Sequence, residues 1–113
     1  MDEYHKRTCI KFVPRQSGHR DYISIVSGNT GCWSSVGRVG GAQQVNLQSP
    51  GCLTTLGTPI HELMHALGFL HEQNRYERDS HVTIVWNNIQ AGQCAPKGLD
   101  KDAYDKVRWM RSS

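Results

Sequence analysis

Apolar positions recur at helical spacing most clearly between Thr58 and Gly68, where Ile60, Leu63, Met64 and Leu67 form a stripe along one face. Thr58 suits an N-cap. Pro59 suits the first helical position, because its missing N–H would have no partner there in any case. Gly68 suits the left-handed conformation that ends a helix, so the pattern predicts a helix at about 58–68. Alternating polar and apolar residues predict a strand in "DYISIV", 21–26, with Tyr22 or else the Ile23 and Ile25 set facing the core. "AQQVNL", 42–47, is a weaker strand. "CIKFV", 9–13, reads as a strand stopped by Pro14, and "HVTIVW", 81–86, as a strand or extended segment. "DEYHKRT", 2–8, predicts a short helical turn, and "DKDAYDKVRWM", 100–110, an amphipathic helix. The five glycines from Ser27 to Gly41 predict mostly loop.

At 113 residues the chain has the length of one domain, and its 37% hydrophobic and 20% charged residues are those of a somewhat polar globular protein. No apolar run approaches the length of a membrane span. The +3 charge is scattered among acidic residues, so no basic block predicts nucleic-acid binding. The N-terminal "MDEYHKRTCIKF" lacks the apolar segment of a signal peptide. Cys9, Cys32, Cys52 and Cys94 form no CxxC pair, which disfavours a thiolate metal site. Their even number fits two disulfides and an oxidising compartment, with four buried thiols as the alternative.

The chemistry concentrates in "TPIHELMHALGFLHEQNR", 58–75. Residues four apart on a helix are neighbours, so His61 and His65 can direct two imidazoles at one ion. A break at Gly68 would let the chain bring His71 back as a third ligand. Three neutral imidazoles leave a tetrahedral zinc ion one open position, as in catalytic rather than closed structural sites. Glu62 points about 100° around the helix from His61, away from direct ligation but toward a zinc-activated water, where a carboxylate can act as general base. Single histidines such as His5, His19 and His81 read as surface or core residues; a structural zinc site would need a fourth ligand, for which His81 is the available residue.

"HELMHALGFLHEQNRYERD" matches the metzincin signature H-E-x-x-H-x-x-G-x-x-H, and with "TCIKFVPR", "GCWSSVGRVGGAQQVNL" and "PGC" it resembles the astacin family over about residues 3–92. The resemblance implies an α+β, zincin-like N-terminal subdomain: a twisted mixed sheet of about four strands with the active-site helix at about 58–68. It implies an extracellular zinc metalloendopeptidase, one Zn2+ per chain, that hydrolyses protein or peptide substrates. Position by position, His61, His65 and His71 would ligate zinc and Glu62 would be the catalytic base. Cys32 and Cys52 would form the family's internal disulfide, and Cys94 would stand in for the absent partner of Cys9. Gln43, Gln44, Val45, Asn46 and Leu47 would form the edge strand along which substrate pairs its backbone. The family's second subdomain, with its S-x-M-H-Y Met-turn, has no counterpart here, and 93–113 reads as a divergent tail. The alternative function is therefore an impaired form that binds zinc and peptides without turnover. Oligomeric state is not legible.

Overall fold

The computed structural model describes residues 1–88; the expectations for Cys94 and for a helix at 100–110 fall outside them. Residues 1–69 form one compact unit, and the described residues from Leu70 onward belong to a second.

The first unit opens with helix α1, Asp2–Arg7. Glu3 and Arg7 lie one turn apart and pair at 2.8 Å, which holds the Glu3 carboxyl below its ordinary value. Tyr4 turns inward, and its hydroxyl donates to the Ile60 carbonyl at 2.8 Å. Burial pushes that phenol's pKa up. The segment 9–13, expected as a strand, forms no ladder. Its backbone donors are taken locally instead: Ile10 N–H donates to Thr8 Oγ1 at 3.1 Å and Phe12 N–H to His5 Nε2 at 2.8 Å. Phe12 also packs edge-on against Tyr4, with ring centroids 5.3 Å apart.

Three strands make the sheet: β1, Tyr22–Val26; β2, Cys32–Ser34; and β3, Ala42–Leu47. The order is β1-β3-β2, with β3 parallel to β1 and antiparallel to β2, so the α+β class and mixed sheet hold. Among the described residues the sheet therefore has three strands rather than about four. β2 lies inside the glycine-rich stretch expected to be loop. It is held by its pairing with β3 and by the Cys32–Cys52 disulfide, whose Cα atoms are 5.8 Å apart. Cys9 is exposed and forms no disulfide among the described residues.

One correction bears on function. Gln43, Gln44, Val45, Asn46 and Leu47 are not an edge strand, because β3 is hydrogen-bonded on both sides and has no free ladder to offer. Its burial agrees: Gln43, Val45, Asn46 and Leu47 are all buried, and Val45, Leu47 and Cys52 form the centre of the core, with Ile23 and Ala66 packed against it. The two amides tolerate this burial because they replace water with loop backbone. Asn46 accepts from Gly28 N–H at 2.7 Å and donates to Gly28 and Gly31 carbonyls. Gln43 does the same for the loop between β2 and β3. Asp21 pins the end of that loop, accepting from Gly41 N–H at 2.7 Å and from Arg38. The Gly41 bond, then Arg38, hold the Asp21 carboxyl below its ordinary value.

Helix α2, Gly57–Ala66, packs on β2 and β3. It starts before Thr58 and has no side-chain cap. Leu56 already has right-handed helical dihedrals, φ −68° and ψ −22°, so the extended geometry that lets a Ser or Thr cap a helix never forms. Leu63 is buried and Ile60 half-buried, whereas Met64 and Leu67 of the expected core stripe are exposed.

In the second unit, 81–86 is not a strand. The chain turns at Glu72–Asn74, Arg78–Ser80 and Trp86–Asn88. Buried Arg78 organises these turns, donating to the Gln73 carbonyl at 2.9 Å and lying 6.0 Å from the Trp86 ring centroid. Arg75 pairs with Glu72 and Glu77, each at 2.6 Å. No helix of the described residues is long and apolar enough to cross a membrane.

Candidate metal centre

The end of α2 builds the site. Gly68 has φ +103°, a conformation that a side chain disfavours, and there the helix closes with two return bonds: Gly68 N–H to the His65 carbonyl at 2.8 Å and Phe69 N–H to the Met64 carbonyl at 3.0 Å. This closure turns the Phe69 carbonyl back toward the helix, where it meets His65 Nδ1 at 2.7 Å. A carbonyl only accepts, so Nδ1 carries the proton and the lone pair of the neutral ring lies on Nε2. The glycine that ends the helix therefore also fixes the tautomer of His65, in the way outer hydrogen bonds orient metal-ligating histidines.

His65 Nε2 faces His61 Nε2 at 2.9 Å, and the two rings stand nearly perpendicular with centroids 4.5 Å apart. One ring nitrogen from each of His61, His65 and His71 lies within 4.8 Å of the others. A tetrahedral ion with Zn–N of about 2.0–2.1 Å keeps two donors about 3.4 Å apart, a value the 2.9 Å pair and the 4.8 Å limit bracket. Three nitrogen donors, with no thiolate or carboxylate among them, suit zinc. Glu62 is not in the trio. Its side chain is buried beside Leu63, while His61 is exposed and His65 half-buried.

The structure thus gathers the three predicted ligands and keeps Glu62 on the same helix outside their ring. Sequence reasoning missed two contributors. The Phe69 carbonyl is a backbone group and carries no residue-type signal. Gly37, in the loop after β2, donates its N–H to the His65 carbonyl at 2.8 Å, and nothing marks it among its neighbouring glycines.

Fold and site together define an α+β domain with a candidate three-imidazole metal site at the end of its helix. The family model for the astacin peptidases matches residues 1–108, past the 3–92 that carried the resemblance, and the chain belongs to that family. It is 52% identical over 106 residues to zinc metalloproteinase nas-8 of Steinernema carpocapsae, covering 94% of this chain and 22% of that protein. It is 53% identical over 93 residues to zinc metalloproteinase nas-4 of Caenorhabditis elegans, covering 81% of this chain and 29% of that one. Among solved structures it resembles high choriolytic enzyme 1 of the medaka Oryzias latipes, a hatching enzyme zinc-protease. The TM-score is 0.77 at 42% identity, over 93% of this chain and 48% of that chain. The chain spans less than a third of the length of the two curated relatives.

Proposed function

We propose that this chain carries the metal-binding part of an extracellular zinc endopeptidase, holding one Zn2+ on His61, His65 and His71 and using Glu62 as general base in peptide-bond hydrolysis. The observation that carries the reading is the imidazole trio on a helix end whose own closure sets the His65 tautomer. When bound, the zinc ion supplies a Lewis acid that polarises a peptide carbonyl and makes a water molecule acidic near neutral pH. Glu62 would hold the proton released by the attacking water on its carboxylate and return it to the amine nitrogen as the C–N bond breaks. Its burial limits bulk water around the carboxylate, which suits a base that must hold and return one proton. The extended substrate pairs with β2, whose one strand partner among the described residues is β3, and whose following loop is bonded to the His65 backbone. The Cys32–Cys52 disulfide supports an oxidising, extracellular setting.

The test is cleavage of an unstructured protein by the full chain, refolded oxidatively with zinc. Glu62→Gln should lose about 10²–10⁴-fold in rate with zinc content unchanged. Cleavage that survives Glu62→Gln refutes the general-base role. Stoichiometric zinc with no turnover in the wild type establishes the alternative, a binding module that does not cut.

A further inference from the structure

Gln43 lies on the central strand, 6% exposed, and its side-chain amide bonds to a single loop. Its Oε1 accepts from Val39 N–H at 3.1 Å. Its Nε2 donates to the Gly37 carbonyl at 2.8 Å and, more weakly, to the Ser35 carbonyl at 3.4 Å. A primary amide suits this place because it donates and accepts at once, as three backbone groups facing one buried side chain require. The same loop reaches α2 through Gly37, whose N–H donates to the His65 carbonyl. That carbonyl then accepts two bonds, from Gly37 and Gly68, both at 2.8 Å, while the ring of the same residue is held by Phe69. The path from the Gln43 amide to the backbone of His65 is therefore two hydrogen bonds long, through a single glycine with φ +71°.

We propose that Gln43 is a positioning residue for the metal centre, acting through the Ser35–Val39 loop on His65. This rests on the zinc reading above. Asn46 supplies the internal control. It is on the same strand and also buried, but its amide holds Gly28 and Gly31, and none of these bonds leads to α2. A generic loss of buried hydrogen bonds would affect both positions alike; a positioning role belongs to Gln43 alone.

The experiment compares wild type, Gln43→Leu and Asn46→Leu as full, oxidised chains. It reads cobalt(II) affinity by chelator competition, the visible spectrum of bound cobalt, and hydrogen exchange at the Gly37 amide without metal. Outer hydrogen-bonding partners of metal ligands are worth about 10–100-fold in affinity, and one link further out the lower end applies. Gln43→Leu should weaken cobalt binding about tenfold, shift the cobalt bands and speed Gly37 exchange beyond the change in global stability. Asn46→Leu should lower stability comparably and leave those readouts at wild-type values. If Gln43→Leu does not fold, Gly37→Ala strains the same link from the loop side and should shift the cobalt bands in the same direction; unshifted bands overturn the role. A Gln43→Leu chain indistinguishable from Asn46→Leu in all readouts overturns it as well. A wild-type chain that takes up no cobalt overturns the zinc reading itself, a separate and recognisable failure.

Discussion

Replacing Gly68 by alanine puts the link between helix closure and metal site under direct strain. Gly68 sits at φ +103°, where a Cβ crowds the backbone at a cost of roughly 1–2 kcal/mol. Space is not the obstacle, since the nearest atom to an added Cβ is the Gly37 Cα at 3.9 Å, an ordinary contact. The whole penalty is conformational, and the chain can meet it in two ways. It can keep the closure and lose stability, which for a domain of roughly 60–100 residues lowers Tm by about 4–8 °C per kcal/mol. Or it can relax the dihedral, releasing the Gly68 N–H to His65 and Phe69 N–H to Met64 bonds and carrying the Phe69 carbonyl away from His65 Nδ1. The second path frees the imidazole tautomer and costs about 10–100-fold in zinc affinity. Thermal unfolding with and without zinc, beside chelator competition, separates the two. Gly18→Ala is the reference, at a glycine outside the positive-φ set with nothing within 4 Å; it should change neither quantity appreciably. Gly68→Asn should recover part of the loss, because asparagine tolerates left-handed dihedrals. Wild-type Tm and zinc affinity together in Gly68→Ala would refute the claim that this turn holds the site.

Two further outcomes follow from the first unit. Cys32→Ser with Cys52→Ser opens a loop of sequence separation 20 and should cost about 3 kcal/mol in chemical denaturation; a loss below about 1 kcal/mol contradicts it. Asp21 is held below its ordinary pKa of 3.8, so its ionised form favours the fold; that contribution is complete above 3.8 and fades as pH falls through the depressed value. The ratio of Gly41 amide exchange in wild type to that in Asp21→Asn should therefore be flat from neutral pH to about 5 and rise at more acid pH; a constant ratio down to about pH 2 refutes it.

How much the sequence disclosed depended on whether a residue's environment was local. The helix around His61 and His65 was legible because its period and its terminating glycine act within one element. Its first residue was not, because the preceding turn hands over a backbone already helical at Leu56. β2 was hidden in glycine-rich chain, since three residues carry no periodic signal and its pairing comes from β3 and a disulfide. The misplaced edge came from the family resemblance, not from residue pattern, and what hid the true place of β3 is again non-local: Gln43 and Asn46 are buried amides that satisfy loop backbone contributed from elsewhere in the fold. At the candidate metal centre the gathering of the three histidines was legible from residue type and spacing, but the Phe69 carbonyl and the Gly37 N–H that bond to His65 are backbone groups, which sequence pattern does not distinguish.

X-ray absorption at the zinc edge of the oxidised, zinc-loaded chain tests the central claim most directly. Three imidazole nitrogens on His61, His65 and His71 predict a shell of nitrogen scatterers at about 2.0–2.1 Å, imidazole outer-shell features from three rings and one further light donor from solvent. A sulfur shell near about 2.3 Å, a fourth imidazole, or a spectrum unchanged in His71→Ala would contradict it.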